Sequence, residues 1–190
     1  MTSNPFKQPK GFTLIETLVA VLLLATAIAG PLTIASKSLI AALVAKNQIA
    51  AFFLAQDAIE FVRFARDTNR LQGGDWITGV GSSKGGVDLS NCRSAEGCYF
   101  DSTLQNPNAV TACVSGGCAQ PLVLTTSKYL YLTNGRYAYN SAGTRTTFVR
   151  QVIISDVVSG EEANVLVTVY WSDAGKERKV QVQENIFNWQ

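Results

Sequence analysis

The stretch that decides the fold begins at residues 10–16, which read KGFTLIE, and continues into Thr17–Ser36, which contains no charged side chain. Twenty residues of α-helix rise about 30 Å, which matches the hydrocarbon thickness of a bilayer. The segment before it, residues 1–11, is polar and carries Lys7 and Lys10 but no acidic residue. Because cationic flanks stay on the cytoplasmic side, the sequence predicts one membrane-spanning helix with a cytoplasmic N-terminus.

Glu16 is the feature of this segment that a simple membrane anchor does not explain. A carboxylate in the hydrocarbon region costs about 3 kcal/mol and is rarely retained without a function. The carboxyl group has two ways to lower this cost, since it can take up a proton or pair with a cation. We therefore expect Glu16 to have a partner in the functional state.

A removable secretory signal is the alternative interpretation of the same segment. Its parts are present: a basic start, an apolar stretch at Leu18–Leu24, and small-residue cleavage sites at Ala25–Ala27 and Ala27–Ala29. Two observations count against it. Glu16 lies within the apolar segment, and the apolar helical pattern continues past Ala29 as far as Val44.

Residues 10–16 resemble the cleavage and methylation motif of type IV pilins and type II secretion pseudopilins, with the glycine, the aromatic residue, the acid and the uncharged run in the same order. The resemblance implies that a prepilin peptidase cuts after Gly11 and methylates the new N-terminus at Phe12. It also implies that Glu16 guides assembly by pairing with the amino group of Phe12 in a neighbouring subunit. The amine of the same chain is an open alternative, because positions i and i+4 share a helix face.

Gly30 and Pro31 lie inside the apolar run. Proline removes one backbone hydrogen bond and therefore predicts a kink in the helix at this point. Neighbouring helices tolerate such a kink in lipid or in a filament. A locally melted stretch and a simple bend both fit the sequence.

From Ser38 to about Asn69 the pattern predicts an amphipathic helix, with apolar residues at i, i+3, i+4 and i+7 spacing. Gly73 and Gly74 are expected to end it. The stretch Ala55–Glu60 and the residues after it resemble the equivalent segment of minor pilins of the pilus modification class. The polar positions were interpreted as a solvated face: Lys46, Gln56, Asp57, Glu60, Arg63, Asp67 and Arg70.

The last third of the chain alternates apolar and polar residues, as strands do. Asn134-Gly135 between two short aromatic runs is typical of a type I′ hairpin turn. The chain therefore belongs to the α+β class, with a long N-terminal helix packed on a roughly four-stranded antiparallel sheet. The Val-rich strand ending at Trp171 resembles that of minor pseudopilins of the I class and of minor pilins of the modification class. The expected strand segments are Tyr129–Leu132, Tyr137–Tyr139, Thr146–Val157, Val165–Trp171 and Lys179–Glu184.

All four cysteines lie within one Gly- and Asn-rich stretch, at Cys92, Cys98, Cys113 and Cys118. The spacings C-x5-C and C-x4-C differ from the C-x2-C knuckles of zinc sites. Behind a membrane segment, an even number of cysteines favours two disulfides. The sequence leaves all three possible pairings open.

Several functions are disfavoured by composition. The chain has no histidine, no P-loop and no dinucleotide-binding glycine motif, so we expect no enzyme, no metal and no cofactor. Residues 71–190 hold nine basic against ten acidic side chains, which provides no general attraction for nucleic acid. Asp156, Glu161 and Glu162 could form a calcium loop, but solvated loop charge is the simpler interpretation.

These expectations define four segments: a leader at 1–11, a transmembrane and assembly helix at 12–36, an amphipathic stalk at 37–70, and an extracytoplasmic disulfide-containing domain at 71–190. The resemblance implies a minor subunit of a type IV pilus or related filament. Its partners would be other pilin subunits, the prepilin peptidase, an inner-membrane assembly platform and membrane lipid. The alternatives are a type II secretion pseudopilin and a secreted binding domain with a cleaved signal.

Overall fold

The structure, a computed structural model, describes residues 11–80, 86–104, 110–114, 118, 128–173 and 175–189. The expected leader at residues 1–10 lies outside these ranges. The chain divides into two compact units, Met1–Ala45 and Lys46–Gln190.

One helix, α1, runs from Leu14 to Leu71 without interruption. It is long and apolar enough to cross a membrane, and its most apolar part is wholly exposed in this structure. Burial along α1 begins only at Ala51. The predicted membrane and stalk segments are therefore parts of a single helix.

Two glycines terminate α1, as the sequence predicts. The N–H of Gly73 donates to the carbonyl of Arg70 at 2.9 Å, and the N–H of Gly74 donates to the carbonyl of Asn69 at 2.9 Å. Gly73 has a φ of 74°, in the left-handed region that glycine adopts without steric cost. This pair of bonds is a Schellman motif, which satisfies carbonyls that the helix end leaves free.

The second unit contains one antiparallel sheet of seven strands. The strands are β1 Cys98–Phe100, β2 Val110–Ala112, β3 Tyr129–Thr133, β4 Arg136–Ala138, β5 Thr144–Val158, β6 Glu162–Asp173 and β7 Lys176–Phe187. The long strand β5 is at the centre of the sheet: one edge pairs with β6, and the other edge pairs with β1 at Val152 and with β3 near Val149. β2 extends β1, β4 extends β3, and β7 extends β6. A short 3-10 helix at Ser90–Arg93 precedes the sheet.

The core lies between α1 and one face of this sheet. Alternate residues of β6 point toward the helix and are fully buried, as the period of two requires: Ala163, Val165, Val167, Val169 and Trp171. They meet small residues of α1 such as Ala51, Ala55, Ala58 and Ala65, which bring the helix close to the strands. Phe61 of α1 stacks on Phe100 of β1 at 4.3 Å between ring centroids.

The α+β class and the helix-on-sheet packing are confirmed. The sheet has seven strands rather than roughly four. The five expected strand segments all belong to it, as β3 to β7, and β1 and β2 were not expected because three residues are too few to show alternation. The hairpin turn is confirmed in detail, since Asn134 and Gly135 have φ values of 50° and 78°.

The solvated polar face expected on the stalk is present at Asp57 and Arg63, whose side chains are 48% and 40% exposed, but both also form ion pairs with the sheet. Asp57 forms an ion pair with the buried Arg150 of β5, and Arg63 pairs with Glu184 of β7. Both partners lie more than ninety residues away in the chain. Helical periodicity places a charge on a helix face but does not reveal a partner that a distant strand provides.

Candidate functional site

Thr13 caps the start of α1. Its carbonyl accepts the N–H groups of Glu16 at 3.1 Å and Thr17 at 3.2 Å, and its hydroxyl oxygen accepts the N–H of Glu16 at 3.4 Å. Thr13 and Glu16 have the spacing of a capping box, and an acid in the first turn interacts favourably with the helix dipole. The helix that the motif predicts therefore begins at Leu14, two residues after Phe12.

The Glu16 side chain is exposed on the first turn of α1. Across residues 11–80 and the other described ranges, no ion pair or hydrogen bond to its carboxyl group is present. Phe12, four residues before it, is also exposed. A partner for this carboxyl group in lipid must therefore come from chain processing or from another molecule.

The remaining polar side chains of Thr17–Ser36 are satisfied within the helix. Each hydroxyl donates to a carbonyl three or four residues earlier, which removes its need for an outside partner in hydrocarbon. Glu16 thus differs from these hydroxyl side chains, because its carboxyl group has no hydrogen-bond partner among the described residues. The bonds are Thr17 to Leu14 at 2.8 Å, Thr26 to Leu23 at 3.0 Å, Thr33 to Gly30 at 2.7 Å and Ser36 to Leu32 at 2.9 Å.

α1 continues through Gly30 and Pro31. A side chain built at Gly30 would meet no neighbouring atom within 4 Å, so close packing inside the chain does not require glycine here. The kink and the melted stretch remain predictions for the membrane or the filament.

The four cysteines form two disulfides between sequence neighbours, Cys92–Cys98 and Cys113–Cys118. The first joins the 3-10 helix to β1 inside the main core, where both residues are fully buried. The second packs on Val149, on the sheet face opposite α1. Among the described residues no cluster of histidine, cysteine or acidic side chains could hold a metal ion.

A buried arginine joins α1 to the sheet, and the sequence analysis missed it. Arg150 is 1% exposed. Its guanidinium donates to the Asp57 carboxylate at 2.7 Å and to the carbonyls of Leu54 at 3.0 Å and Phe100 at 2.9 Å. The signal was available: Arg150 occupies an inward position of β5, between Phe148 and Val152.

A buried asparagine organises the loop after α1, and it was missed as well. Asn69 is fully buried; its amide nitrogen donates to the carbonyl of Val87 at 2.8 Å, and its oxygen accepts the N–H of Val87 at 2.8 Å. A Cβ at Gly79 would come within 2.7 Å of the same oxygen. Glycine at this position of the loop therefore leaves the space that the Asn69 side chain occupies.

The buried Asp101 carboxylate fixes the backbone that follows β4 through hydrogen bonds. Its carboxylate accepts the N–H of Tyr139 at 2.9 Å and the N–H of Thr103 at 3.0 Å. Burial raises the pKa of the Tyr139 phenol to about 12. These groups serve the fold of the domain.

The acids considered for calcium are spread over different contacts. Asp156 pairs with Arg93, and Glu162 accepts a hydrogen bond from the Asn185 amide at 2.7 Å. Their separate partners fit the interpretation as loop charge.

A family model, the prokaryotic N-terminal methylation motif, matches residues 7–30. The match includes Gly11, Phe12, Glu16 and the whole apolar stretch up to Gly30. No curated protein and no solved structure matches the chain.

Proposed function

We propose, from the premise that this chain is a type IV pilin-like protein, that it is a minor structural subunit of a type IV pilus or a related filament. The observation that carries the proposal is the methylation motif leading into an apolar helix whose first turn contains a single acid. The α+β unit behind the helix is the part that such a subunit exposes on the filament. Assembly with other subunits of this type follows from the motif.

Processing is the first step of the proposed pathway. A prepilin peptidase cuts between Gly11 and Phe12 and methylates the Phe12 amine. Before the cut, Lys7 and Lys10 hold the leader at the cytoplasmic face, since moving two cations through a bilayer is costly. After the cut, the chain can leave the membrane and enter a filament.

Pairing of Glu16 with the Phe12 amine of the preceding subunit is the second step. The cut creates an ammonium group at Phe12, about one helical turn before the Glu16 carboxylate of the same chain. In a low-dielectric environment, an unpaired charge of either sign is far less favourable than the pair. Correct register between two subunits is therefore the arrangement that neutralises both groups.

The location follows from the same features. The long apolar helix anchors the chain in the inner membrane before assembly, with the N-terminus cytoplasmic. Two disulfides in the second unit fit an oxidising compartment outside that membrane. The inner-membrane assembly platform is the expected partner at this stage.

A type II secretion pseudopilin is the second candidate. The strand ending at Trp171 fits both candidates, because it resembles the corresponding strand of I-class pseudopilins and of modification-class minor pilins. The segment Ala55–Glu60 favours the pilus modification class and hence the minor pilin. Fractionation separates the two: a pilus subunit is found in sheared surface filaments, and a pseudopilin is absent from them.

Mass spectrometry of the mature protein tests the proposal directly. We expect the mature chain to begin at N-methylated Phe12, and Gly11→Val to retain residues 1–11. A mature chain that begins at Ile28 or Gly30 would instead identify a secretory signal and overturn the filament function.

A further inference from the structure

A groove of about 620 Å³ opens between α1 and the β3–β4 hairpin in the second unit. Ile49 and Phe53 of α1 line it and are 58% and 63% exposed, and Tyr137 of β4 lines the opposite wall. Large apolar side chains that are more than half exposed in a concave site are typical of binding surfaces.

The groove also contains two cations without partners. Lys46 of α1 and Arg136 of β4 both line it, and neither forms an ion pair with any residue in the described part of the chain. The one carboxylate in the groove, that of Asp57, is already engaged by Arg150 at 2.7 Å and by the Ser102 hydroxyl at 2.6 Å. The groove therefore matches an occupant that carries acidic groups beside aliphatic side chains.

The turn between β5 and β6 has this composition. Val157 and Val158 are 54% and 45% exposed, and Glu161 and Glu162 follow after Ser159 and Gly160. Glu162 accepts one hydrogen bond from Asn185, while no ion pair to either glutamate occurs among the described residues. We name the segment Val157–Glu162 the acidic tip.

The groove and the acidic tip lie at opposite ends of the second unit. At the groove end, the Asn47 amide donates to Asp173 at 2.5 Å, where β6 ends. At the other end, Arg66 donates to the carbonyl of Phe187, which pairs with Glu162 where β6 begins. The twelve residues of β6 span about 36 Å between these points. Two complementary surfaces at opposite ends produce a head-to-tail contact, which repeats instead of closing into a dimer.

We propose that the acidic tip of one copy docks into the groove of a second copy, with Glu161 and Glu162 facing Lys46 and Arg136 and the two valines covering Ile49 and Phe53. The proposal rests on the proposed filament function and deepens it by naming a contact between neighbouring domains. It predicts consecutive runs of this subunit in the filament.

A photocrosslinker tests which molecule occupies the groove. The full chain carries p-benzoylphenylalanine in place of Phe53 in cells that assemble the filament, and crosslinked tryptic peptides are identified by mass spectrometry. We expect capture of the peptide 151–176, which contains the acidic tip. Capture of lipid, of another protein or of a different peptide of this chain overturns the proposal.

Charge reversal tests the complementarity. The readout is the yield of the covalently crosslinked dimer on a denaturing gel, which does not depend on tryptic sites. Lys46→Glu with Arg136→Glu, or Glu161→Lys with Glu162→Lys, should each lower this yield about tenfold, since like charges then face each other. The variant with all four changes should restore it. Lys176→Glu with Lys179→Glu, exposed cations on β7, makes the same charge change as the groove variant and should leave the yield unchanged.

The two levels of the proposal fail separately. If the wild-type chain does not begin at methylated Phe12 and is absent from filaments, the filament function fails. If the chain is processed and assembled, but the charge reversals leave the crosslink yield unchanged or the quadruple variant does not restore that yield, the domain contact alone is wrong.

Discussion

At the scale of single residues, Glu16 has the clearest functional assignment. It is the acid of the apolar segment, and the described chain offers its carboxyl group no partner. We predict that Glu16→Gln, which keeps the size and hydrogen-bonding capacity but removes the charge, lowers filament incorporation at least tenfold while Phe12 is still methylated. Incorporation is measured by immunoblotting of sheared filaments.

A matched control for Glu16 is available in the same helix. Thr17→Gln places the same amide one residue further along, away from the face that contains Glu16, and should be incorporated normally. Equal incorporation of Glu16→Gln and wild type would contradict charge pairing and would favour a protonated, uncharged Glu16.

Arg150 and Asp57 allow a second prediction at this scale. Asp57→Ala leaves a buried guanidinium without its counter-ion, whereas Arg150→Met leaves a half-exposed carboxylate that water can solvate. We therefore expect Asp57→Ala to lower the free energy of unfolding by about 3 kcal/mol and Arg150→Met to lower it by less. Denaturant unfolding of the full chain in detergent, with the disulfides intact, measures both.

Asp67 serves as the control for this pair. Its carboxylate contacts the adjacent Arg66 and is 59% exposed, so Asp67→Ala should change the stability by less than about 0.5 kcal/mol. A larger loss for Arg150→Met than for Asp57→Ala would show that the two carbonyl contacts of Arg150, rather than its charge, hold the helix on the sheet.

At the scale of elements, the two disulfides differ in what they hold. Cys92–Cys98 links the 3-10 helix to β1 in the main core, and Cys113–Cys118 packs on Val149. Loop-closure entropy alone would give each about 2–3 kcal/mol, because the loops are of similar length. Removal of the first also leaves a cavity in the main core, so we predict a larger loss for it.

Paired substitutions measure the difference. Cys92→Ala with Cys98→Ala is compared with Cys113→Ala with Cys118→Ala by thermal unfolding, and the first should have the lower midpoint. Equal midpoints would indicate that the chain around Cys92 collapses and fills the space.

At the scale of the whole molecule, the leader and the disulfide-bonded domain are expected on opposite sides of the membrane. We predict that protease added outside spheroplasts cleaves the second unit of the unprocessed Gly11→Val chain but leaves an epitope tag on the leader intact. Lysed spheroplasts are the control, in which the tag must also be lost. Protection of the second unit in intact spheroplasts would contradict the orientation inferred from Lys7 and Lys10.

The sequence by itself determined the features that depend on local pattern. The apolar run, its single acid, the glycine stop at Gly73 and the turn at Asn134-Gly135 are set by composition and by backbone preferences over a few residues. For the same reason the positions of the long strands along the chain were predicted from alternation, whereas their order in the sheet was not. The short strands β1 and β2 were missed, since three residues contain too few alternations to be recognised.

Only the tertiary structure decided which distant groups meet. The ion pair of Arg150 with Asp57, the bonds of Asn69 to Val87, and the placement of the groove and the acidic tip at opposite ends all depend on residues far apart in the chain. The cysteines pair with near neighbours in the sequence, but their spacing alone did not choose among the three possible pairings. Periodicity gives the direction of a side chain relative to its own helix or strand. The partner it meets there depends on how the elements pack, and no local pattern contains that information.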